Sequence, residues 1–202
     1  MVCRIVFEDD FIIVADKPSG LLSVPTPKNE KTTLSSLLKA FPAHRLDRET
    51  SGLIILAKTR KIQDVLAEEF RKRGVKKRYI AFAHGKMPAK DGVIERKVQD
   101  NPYEPAKSAL TQYRVLESRK AFSVVEVIPF TGRTNQIRIH FKQIGHPLVG
   151  ERRFAFAKDF ALKFRRAALH SASLEFRHPR TGELMSFHSD LPPDMMEFLK
   201  NN

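Results

Sequence analysis

The 202 residues include 36 lysines and arginines against 23 aspartates and glutamates, which gives a net charge of +13 at neutral pH. A hydrophobic content of 42%, with fifteen phenylalanines, excludes a disordered chain and supplies enough apolar surface for a sizeable core. The one cysteine, Cys3, permits no internal disulfide and no thiolate cluster for zinc or iron–sulfur, so we expect a reducing, cytoplasmic location.

The N-terminal part of the chain is predicted to form short strands and two helices. Thr32 or Thr33 can cap a short helix that carries Phe41 and stops at Pro42. Thr59 caps a second helix with an apolar face and a basic face, and Gly74 ends it. The predicted strands are Arg4–Phe7, Phe11–Asp16 and Leu53–Lys58. No run is long and apolar enough for a signal peptide or a membrane span, so we expect a soluble protein.

The rest of the chain reads mainly as strands. A helix is predicted from Thr134 to Ile144, and Pro192 or Pro193 opens a terminal helix. The predicted strands are Arg78–Ala83, Val93–Val98, Ser108–Leu116 and Phe122–Ile128, followed by a hairpin of Ala167–Phe176 and Glu183–His188. Many strands without regular βα alternation predict an α+β fold with a largely antiparallel sheet. We expect one domain over residues 1–202.

Positive charge is concentrated in two windows. Lys58–Arg78 contributes +6 and Glu151–Arg180 contributes +5 of the total. A clustered excess of this kind indicates a polyanionic partner, because each phosphate that is neutralised releases condensed counterions. Nucleic acid is therefore the favoured partner, and the alternative is a basic surface that binds nothing.

The segment His44–Gly52 is the densest in chemically reactive side chains. Asp47 has Arg45 and Arg48 beside it, and a nearby guanidinium keeps a carboxylate ionised and able to act as nucleophile or base. The alternative interpretation is a structural Arg–Asp ion pair followed by a Thr-Ser-Gly turn.

Two further segments carry groups that could serve a site. In Thr131–His140, Gly132 suits the entry to a helix, and Arg133 and Arg138 add cations near free helical amides. An ordinary capped basic helix would have the same pattern. In Lys77–Gly85, strand alternation places Tyr79 on the same face as two alanines, where core or rim packing is the alternative to ligand contact.

Taken together, these segments resemble the RluA family of pseudouridine synthases. His44-Arg-Leu-Asp47 followed by Thr50-Ser-Gly52-Leu matches the signature loop of that family, whose aspartate is catalytic. Five other matching segments follow the family order along nearly the whole chain: Asp16–Pro25, Tyr79–Gly85, Gly132–Arg138, Gly145–Gly150 and Leu169–Gly182.

The resemblance implies a pseudouridine-synthase catalytic domain that isomerises uridine in ribosomal or transfer RNA. It implies Asp47 as the catalytic carboxylate, Arg138 as the cation that holds it and Tyr79 as the platform for the detached base. We also predict RNA contacts by five residues: His44, Arg45, Thr50, Arg133 and Gln136. Arg45, beside Asp47, is inferred to fill the gap that a flipped-out base leaves. No cofactor, metal ion or membrane is expected, and we expect a monomer.

The chain departs from the family pattern at a few positions. Asn135 stands where the family usually has histidine, Glu151 where aspartate is commoner, Phe154 where tyrosine is commoner, and Asp190 where the family is usually neutral. These departures leave Asp47, Tyr79 and Arg138 unchanged. The length resembles that of the compact members without the extra N-terminal RNA-binding (S4) domain.

Two alternatives stay open from the sequence. Asp47 and Glu49 could form a carboxylate pair that hydrolyses a glycosidic bond, although two carboxylates two residues apart in one loop rarely straddle a sugar. A non-catalytic RNA-binding relative would use the basic surface without chemistry, and the presence of Asp47 argues against it.

Overall fold

The computed structural model describes residues 3–26, 30–155 and 162–202. These residues form two compact units. The first contains Met1–Lys77 and Ser171–Asp190, and the second contains Arg78–His170 and Leu191–Asn202. The chain therefore leaves the first unit, builds most of the second and returns. The single domain expected over residues 1–202 stays a prediction.

The elements agree closely with the pattern of hydrophobic residues and caps. The helices are α1 (Leu34–Leu38), α2 (Arg60–Arg71), α3 (Gln136–Gln143) and α4 (Pro193–Asn201). The strands are β1 (Arg4–Glu8), β2 (Ile12–Lys17), β3 (Phe41–Pro42), β4 (Ser51–Ala57), β5 (Lys76–His84), β6 (Asp91–Val98), β7 (Lys107–Ser118), β8 (Phe122–Pro129), β9 (Leu169–Arg177) and β10 (Leu184–His188).

In the first unit the strand order is β1-β2-β4-β9-β10, and the short β3 also pairs with β4. The β1–β2, β2–β4, β3–β4 and β9–β10 pairs are antiparallel. All seven residues of β4 are buried, as expected for an apolar strand with neighbours on both edges. Its side chains form the core with Ile12 and Val14 of β2 and Leu174 and Phe176 of β9.

The two helices of the first unit differ in how well the sequence predicts them. The Thr59 side chain accepts a hydrogen bond from the amide of Ile62 and caps α2, as predicted. Thr33 caps α1 in the same way. The prediction that α1 extends through Phe41 is wrong, because Lys39 adopts φ 48° and ends the helix, and Phe41 pairs with Ala57 of β4.

In the second unit the strands follow the order β5-β8-β7-β6, and each adjacent pair is antiparallel. One core cluster joins Phe82 of β5 and Phe122 of β8 to Phe198 of α4, with ring centroids 5.3–5.8 Å apart. A second, smaller cluster packs Ile139 of α3 against β6 and β7. The unit therefore places α3 on the sheet next to its β6 edge.

The start of α3 corrects the prediction made from the sequence. The helix begins at Gln136 rather than at Thr134, and Asn135 takes a left-handed conformation with φ 52°. Asparagine adopts this conformation more readily than other residues with a Cβ atom.

The α+β class with a largely antiparallel arrangement of strands is confirmed. Within the described ranges, no helix is long and apolar enough to span a membrane.

Gly52 provides a test of the packing between β4 and β9. Its φ is +106°, and a Cβ atom there would lie 2.3 Å from the carbonyl oxygen of Ser171. We expect Gly52→Ala to lower the free energy of unfolding by about 2–5 kcal/mol, because backbone strain and overpacking add. Gly182→Ala is the matched control, since Gly182 has φ +74° but open space around it, and about 1–2 kcal/mol is expected there. Urea unfolding of both variants measures the difference, and equal losses would contradict a tight backbone approach.

Candidate active site

The loop that carries Asp47 connects β3 to β4 in the first unit. Asp47 is half-buried, and its carbonyl accepts a hydrogen bond from the amide of Thr50 at 3.1 Å, which closes a turn. Arg45 and Arg48 on either side are exposed, and Arg48 pairs with Glu30 at 3.1 Å. The loop therefore exposes cations next to a partly sheltered carboxylate.

The backbone on both sides of Asp47 is held by the segment that follows β2. The Ser23 hydroxyl donates to the carbonyl of Leu46 at 2.9 Å and accepts from the Leu46 amide at 3.0 Å. The carbonyl of Arg48 accepts from the amide of Gly20 at 2.7 Å. Asp47 is thus flanked by two residues whose backbone positions are fixed, which is what a preoriented reactive group requires.

A buried lysine completes this clamp. Lys17 is 0% exposed, and its ammonium group donates to the carbonyls of Pro18 at 3.0 Å, Leu21 at 2.7 Å and Arg48 at 3.3 Å. Carbonyl oxygens can solvate a buried cation because three N–H groups each meet an acceptor. The Asp16–Pro25 segment of the sequence therefore serves as the support of the Asp47 loop.

Thr50 stands out as a buried polar group. It is 2% exposed, and its Oγ1 has no hydrogen-bond partner within the described part of the chain. Leaving a buried hydroxyl unpaired costs about 1–3 kcal/mol. Such a group, one turn from Asp47, is a candidate substrate contact.

His44 is placed differently from what a phosphate contact would require. Its ring packs on Phe70 with centroids 4.8 Å apart, and Nε2 accepts from the amide of Ile55 at 3.2 Å. Burial, and secondarily the charge of Lys77, lower the pKa of His44 to about 3, so the ring is neutral at physiological pH. A contact of His44 with RNA stays a prediction, and it would not be an ionic one.

The other predicted site residues lie in the second unit. Tyr79 is on β5 opposite Val127, and 7% of it is exposed. Gln136 is buried, and its amide bonds to Leu110, Thr111 and Thr131 in a network that holds α3 to β7. Its predicted role as an RNA contact would require these bonds to break, whereas Arg133 is exposed.

Arg138 is the centre of a buried ionic cluster. Its Nε and Nη2 donate to the two carboxylate oxygens of Glu151 at 2.6 and 2.7 Å, and its Nη1 donates to Oδ1 of Asn135 at 2.7 Å. The Phe154 ring lies 5.3 Å from its guanidinium carbon. Three of the positions at which the sequence departs from the family pattern therefore contact Arg138 directly, which the sequence did not reveal.

Glu151 also organises its own turn. Its Oε1 accepts from the amides of Arg152, Arg153 and Phe154 at 3.0, 2.8 and 3.2 Å. Burial acts to raise the pKa of Glu151, but the Arg138 hydrogen bond and charge, with two of these amides, outweigh it and lower the pKa below its usual value. Glu151 is therefore an ionised, buried partner that fixes the orientation of Arg138.

Asn135 links this cluster to a surface loop. Its side-chain amide donates to Oδ1 of Asp100 at 2.6 Å while its carbonyl oxygen accepts from Arg138. The two opposite demands fix the orientation of the amide at the left-handed residue that precedes α3. Asp100 in turn pairs with Arg153 at 3.0 Å.

The basic window Lys58–Arg78 is partly neutralised. Lys58, Lys76 and Arg78 pair with glutamates that lie outside the window, and Arg71 and Lys72 share Glu68 within it. The second window, Glu151–Arg180, includes residues 156–161, which lie outside the described residues. Among those described, no group of three or more His, Cys, Asp or Glu side chains could hold a metal ion.

Known sequences place the chain among enzymes that modify RNA. A family model described as RNA pseudouridylate synthase matches residues 11–143. The chain is 37% identical over 222 residues to ribosomal large subunit pseudouridine synthase D of Nitrosomonas europaea, covering 98% of this chain and 64% of that protein. It is 36% identical over 199 residues to the dual-specificity RNA pseudouridine synthase RluA of Yersinia pestis, covering 91% of this chain and 96% of that protein.

A solved structure shows the same fold. The chain is similar to human RNA pseudouridylate synthase domain containing 4, with a TM-score of 0.79 and 23% identity, covering 97% of this chain and 91% of that one. At this identity the likeness shows the fold alone, and it agrees with the antiparallel units described above.

The Arg138–Glu151 pair yields a test of stability. We expect Glu151→Gln to lower the free energy of unfolding by about 3–5 kcal/mol at neutral pH, because it leaves a buried guanidinium without its counter-charge. The pKa of Glu151 is lower in the folded than in the unfolded protein. The ionised carboxylate therefore contributes to the free energy of unfolding above the unfolded-state pKa of about 4.3. This contribution is lost as the pH falls through the folded-state pKa. Urea unfolding from neutral to acid pH measures this.

Glu151→Asp is the control, since it keeps the charge at the expense of one methylene, and it should lose less than Glu151→Gln. A Glu151→Gln protein as stable as wild type at neutral pH would contradict the importance of the pair.

Proposed function

Because the chain belongs to the RluA-type family of RNA pseudouridylate synthases, we propose that it is an isomerase that converts particular uridines in RNA to pseudouridine. The observation that carries the proposal is Asp47, a half-buried carboxylate in the family's signature loop whose neighbours on both sides are fixed by backbone hydrogen bonds. The chain spans 64% of the length of the Nitrosomonas europaea synthase that it matches.

All the bonds that break and form in this isomerisation belong to one nucleotide. The C1′–N1 glycosidic bond breaks, the uracil turns, C5 bonds to C1′, the C5 proton leaves and N1 takes up a proton. An ionised carboxylate next to the sugar is the group that this sequence of steps needs, and we propose Asp47 for that role.

The other groups have narrower roles. Arg138 is proposed as the cation that keeps the catalytic carboxylate ionised, and Glu151 and Asn135 are positioning residues that orient its guanidinium. Tyr79 is proposed as the platform for the detached base. The buried Thr50 hydroxyl is proposed as a substrate contact, since a polar group of the nucleotide would satisfy it.

RNA is the proposed macromolecular partner, and ribosomal or transfer RNA is the proposed class. A base within a stem must be flipped out before it reacts, at a cost of about a few kcal/mol, so exposed loops are the favoured targets. Arg45, which is exposed and two residues from Asp47, is proposed to occupy the gap left by a flipped base.

Replacing the carboxylate tests the proposed chemistry. We expect Asp47→Asn to abolish isomerisation with little change in fold or RNA affinity, because the amide is nearly isosteric but carries no charge. Tritium release from RNA labelled at C5 of uridine measures turnover, and circular dichroism monitors the fold. Arg48→Gln is the matched control in the same loop, since Arg48 is exposed and paired with Glu30, and it should keep turnover within about tenfold.

An Asp47→Asn enzyme with turnover within tenfold of wild type would contradict the role of Asp47. Wild-type protein that liberates free uracil, rather than retaining the base in the RNA, would identify an N-glycoside hydrolase instead.

The electrostatic part of binding is tested by salt. With about six phosphates neutralised and a coefficient of about 0.7 per phosphate, the logarithm of the binding constant should fall against the logarithm of salt concentration with a slope near −4. Lys61→Gln, at an exposed position of α2, should make the slope less steep by about 0.7, and Lys200→Gln on α4 should leave it unchanged. Fluorescence anisotropy titrations measure the slopes, and a flat wild-type dependence would contradict a phosphate interface.

A further inference from the structure

Two exposed aromatic side chains lie at the same end of the sheet of the second unit, because β6 and β8 both run antiparallel to β7. Among the described residues, nine large hydrophobic side chains are exposed, and two of them are aromatic: Tyr103, which is 94% exposed, and Phe130, which is 43% exposed. Tyr103 lies in the loop between β6 and β7, and Phe130 directly follows β8. Single exposed hydrophobic residues are common, so their shared location is what needs an explanation.

The two aromatic residues belong to segments that meet at one hydrogen bond. Asp100, three residues before Tyr103, accepts from the side chain of Asn135, five residues after Phe130, at 2.6 Å. The same Asn135 side chain accepts from Arg138. Both rings therefore lie on chain segments that are joined through Asn135. Asn135 is a direct hydrogen-bond partner of Arg138, the proposed catalytic cation.

The loop that carries Tyr103 has a defined conformation. The Tyr103 amide donates to the Asn101 side chain at 3.1 Å, the Glu104 amide to the Asn101 carbonyl at 3.1 Å, and the Gln99 side chain to the Glu104 carbonyl at 2.8 Å. Because hydrogen bonds already order the backbone of this loop, the Tyr103 ring loses little conformational freedom when it binds a ligand. This favours its use as a binding group.

Two guanidinium groups accompany the rings. Nη2 of Arg153 donates to the Asp100 carbonyl at 3.0 Å while about half of its side chain stays exposed, and Nε of Arg133 donates to the Ser108 carbonyl at 3.2 Å. One N–H group of each guanidinium is therefore anchored to the protein, and other N–H groups of the same side chain can donate to a phosphate oxygen. Aromatic faces interleaved with guanidinium groups are the chemistry that binds single-stranded nucleic acid.

We infer that Tyr103, Phe130, Arg133 and Arg153, here called the rim strip, bind unpaired nucleotides of the RNA substrate. The rings stack on bases and the guanidinium groups contact phosphates. The inference deepens the proposed function and rests on it for the identity of the RNA. Duplex RNA fits the strip poorly, because its bases are already stacked and its major groove does not admit side chains.

Binding of a short fluorescein-labelled oligouridylate, measured by anisotropy at low salt, tests the rim strip. Tyr103→Ala and Phe130→Ala should each weaken binding by about 5- to 150-fold, the loss of one stacked base. Tyr103→Phe keeps the ring and should stay within about twofold of wild type. Leu184→Ala, at an exposed position of β10 in the first unit, is the control and should also stay within about twofold.

A tryptophan reporter gives a second measurement. The sequence contains no tryptophan, so Tyr103→Trp introduces a single indole whose fluorescence should change when the oligouridylate stacks on it. Leu184→Trp is its control and should show no change. Tyr103→Ala within twofold of wild type, an unresponsive Tyr103→Trp, or wild-type protein that fails to bind the oligouridylate would each overturn the rim strip.

The rim strip and the isomerase can fail separately. If wild-type protein releases tritium from uridine-labelled RNA and Tyr103→Ala binds RNA normally, the rim strip is overturned and the isomerase stands. If the alanine variants lose RNA affinity as expected but wild-type protein releases no tritium from any RNA tested, the rim strip stands and the isomerase is overturned.

Discussion

The bidentate pair between Arg138 and Glu151 is the constraint around which this part of the second unit is arranged. A buried guanidinium is tolerated only when its N–H groups meet acceptors, and here Glu151 and Asn135 supply them. Glu151 is in turn held by the amides of its own turn, and the Asn135 amide is held by Asp100. Each feature follows from the need to keep one charge oriented away from water.

In the first unit, hydrogen bonds to backbone groups hold the residues that flank Asp47. Asp47 lies between two residues whose backbone groups are bound by Ser23, Gly20 and Lys17. Lys17 is solvated by carbonyl oxygens, so its ammonium can be buried behind the loop. The cations nearest to Asp47 in sequence, Arg45 and Arg48, are exposed. They give this loop a surface suited to an anionic ligand.

Local signals predicted the elements well and the polar contacts poorly. The Thr59 cap and the apolar face of α2 are local, and both were predicted. Strand β3 was missed because Phe41 and Pro42 are strand only through pairing with Ala57 and Leu56. The start of α3 was misplaced because the partners of Asn135 include Asp100, 35 residues away. Glu151 was seen only as an unusual residue, since nothing in its neighbourhood of the sequence identifies Arg138 as its partner.

The return of the chain to the first unit affects how the protein is made. Strand β4 has β2 on one side, and its neighbour on the other side, β9, is synthesised more than a hundred residues later. Until β9 has left the ribosome, the short β3 covers only the Leu56–Ala57 end of this second edge. The rest of the edge stays open on an apolar strand, which is a site for mispairing and aggregation. Because Gly52 packs on Ser171 of β9, the Asp47 loop reaches its final shape only after β9 has been synthesised. The nascent chain is therefore a natural client for chaperones that bind extended apolar segments, and a messenger truncated before these codons would encode a chain without the site.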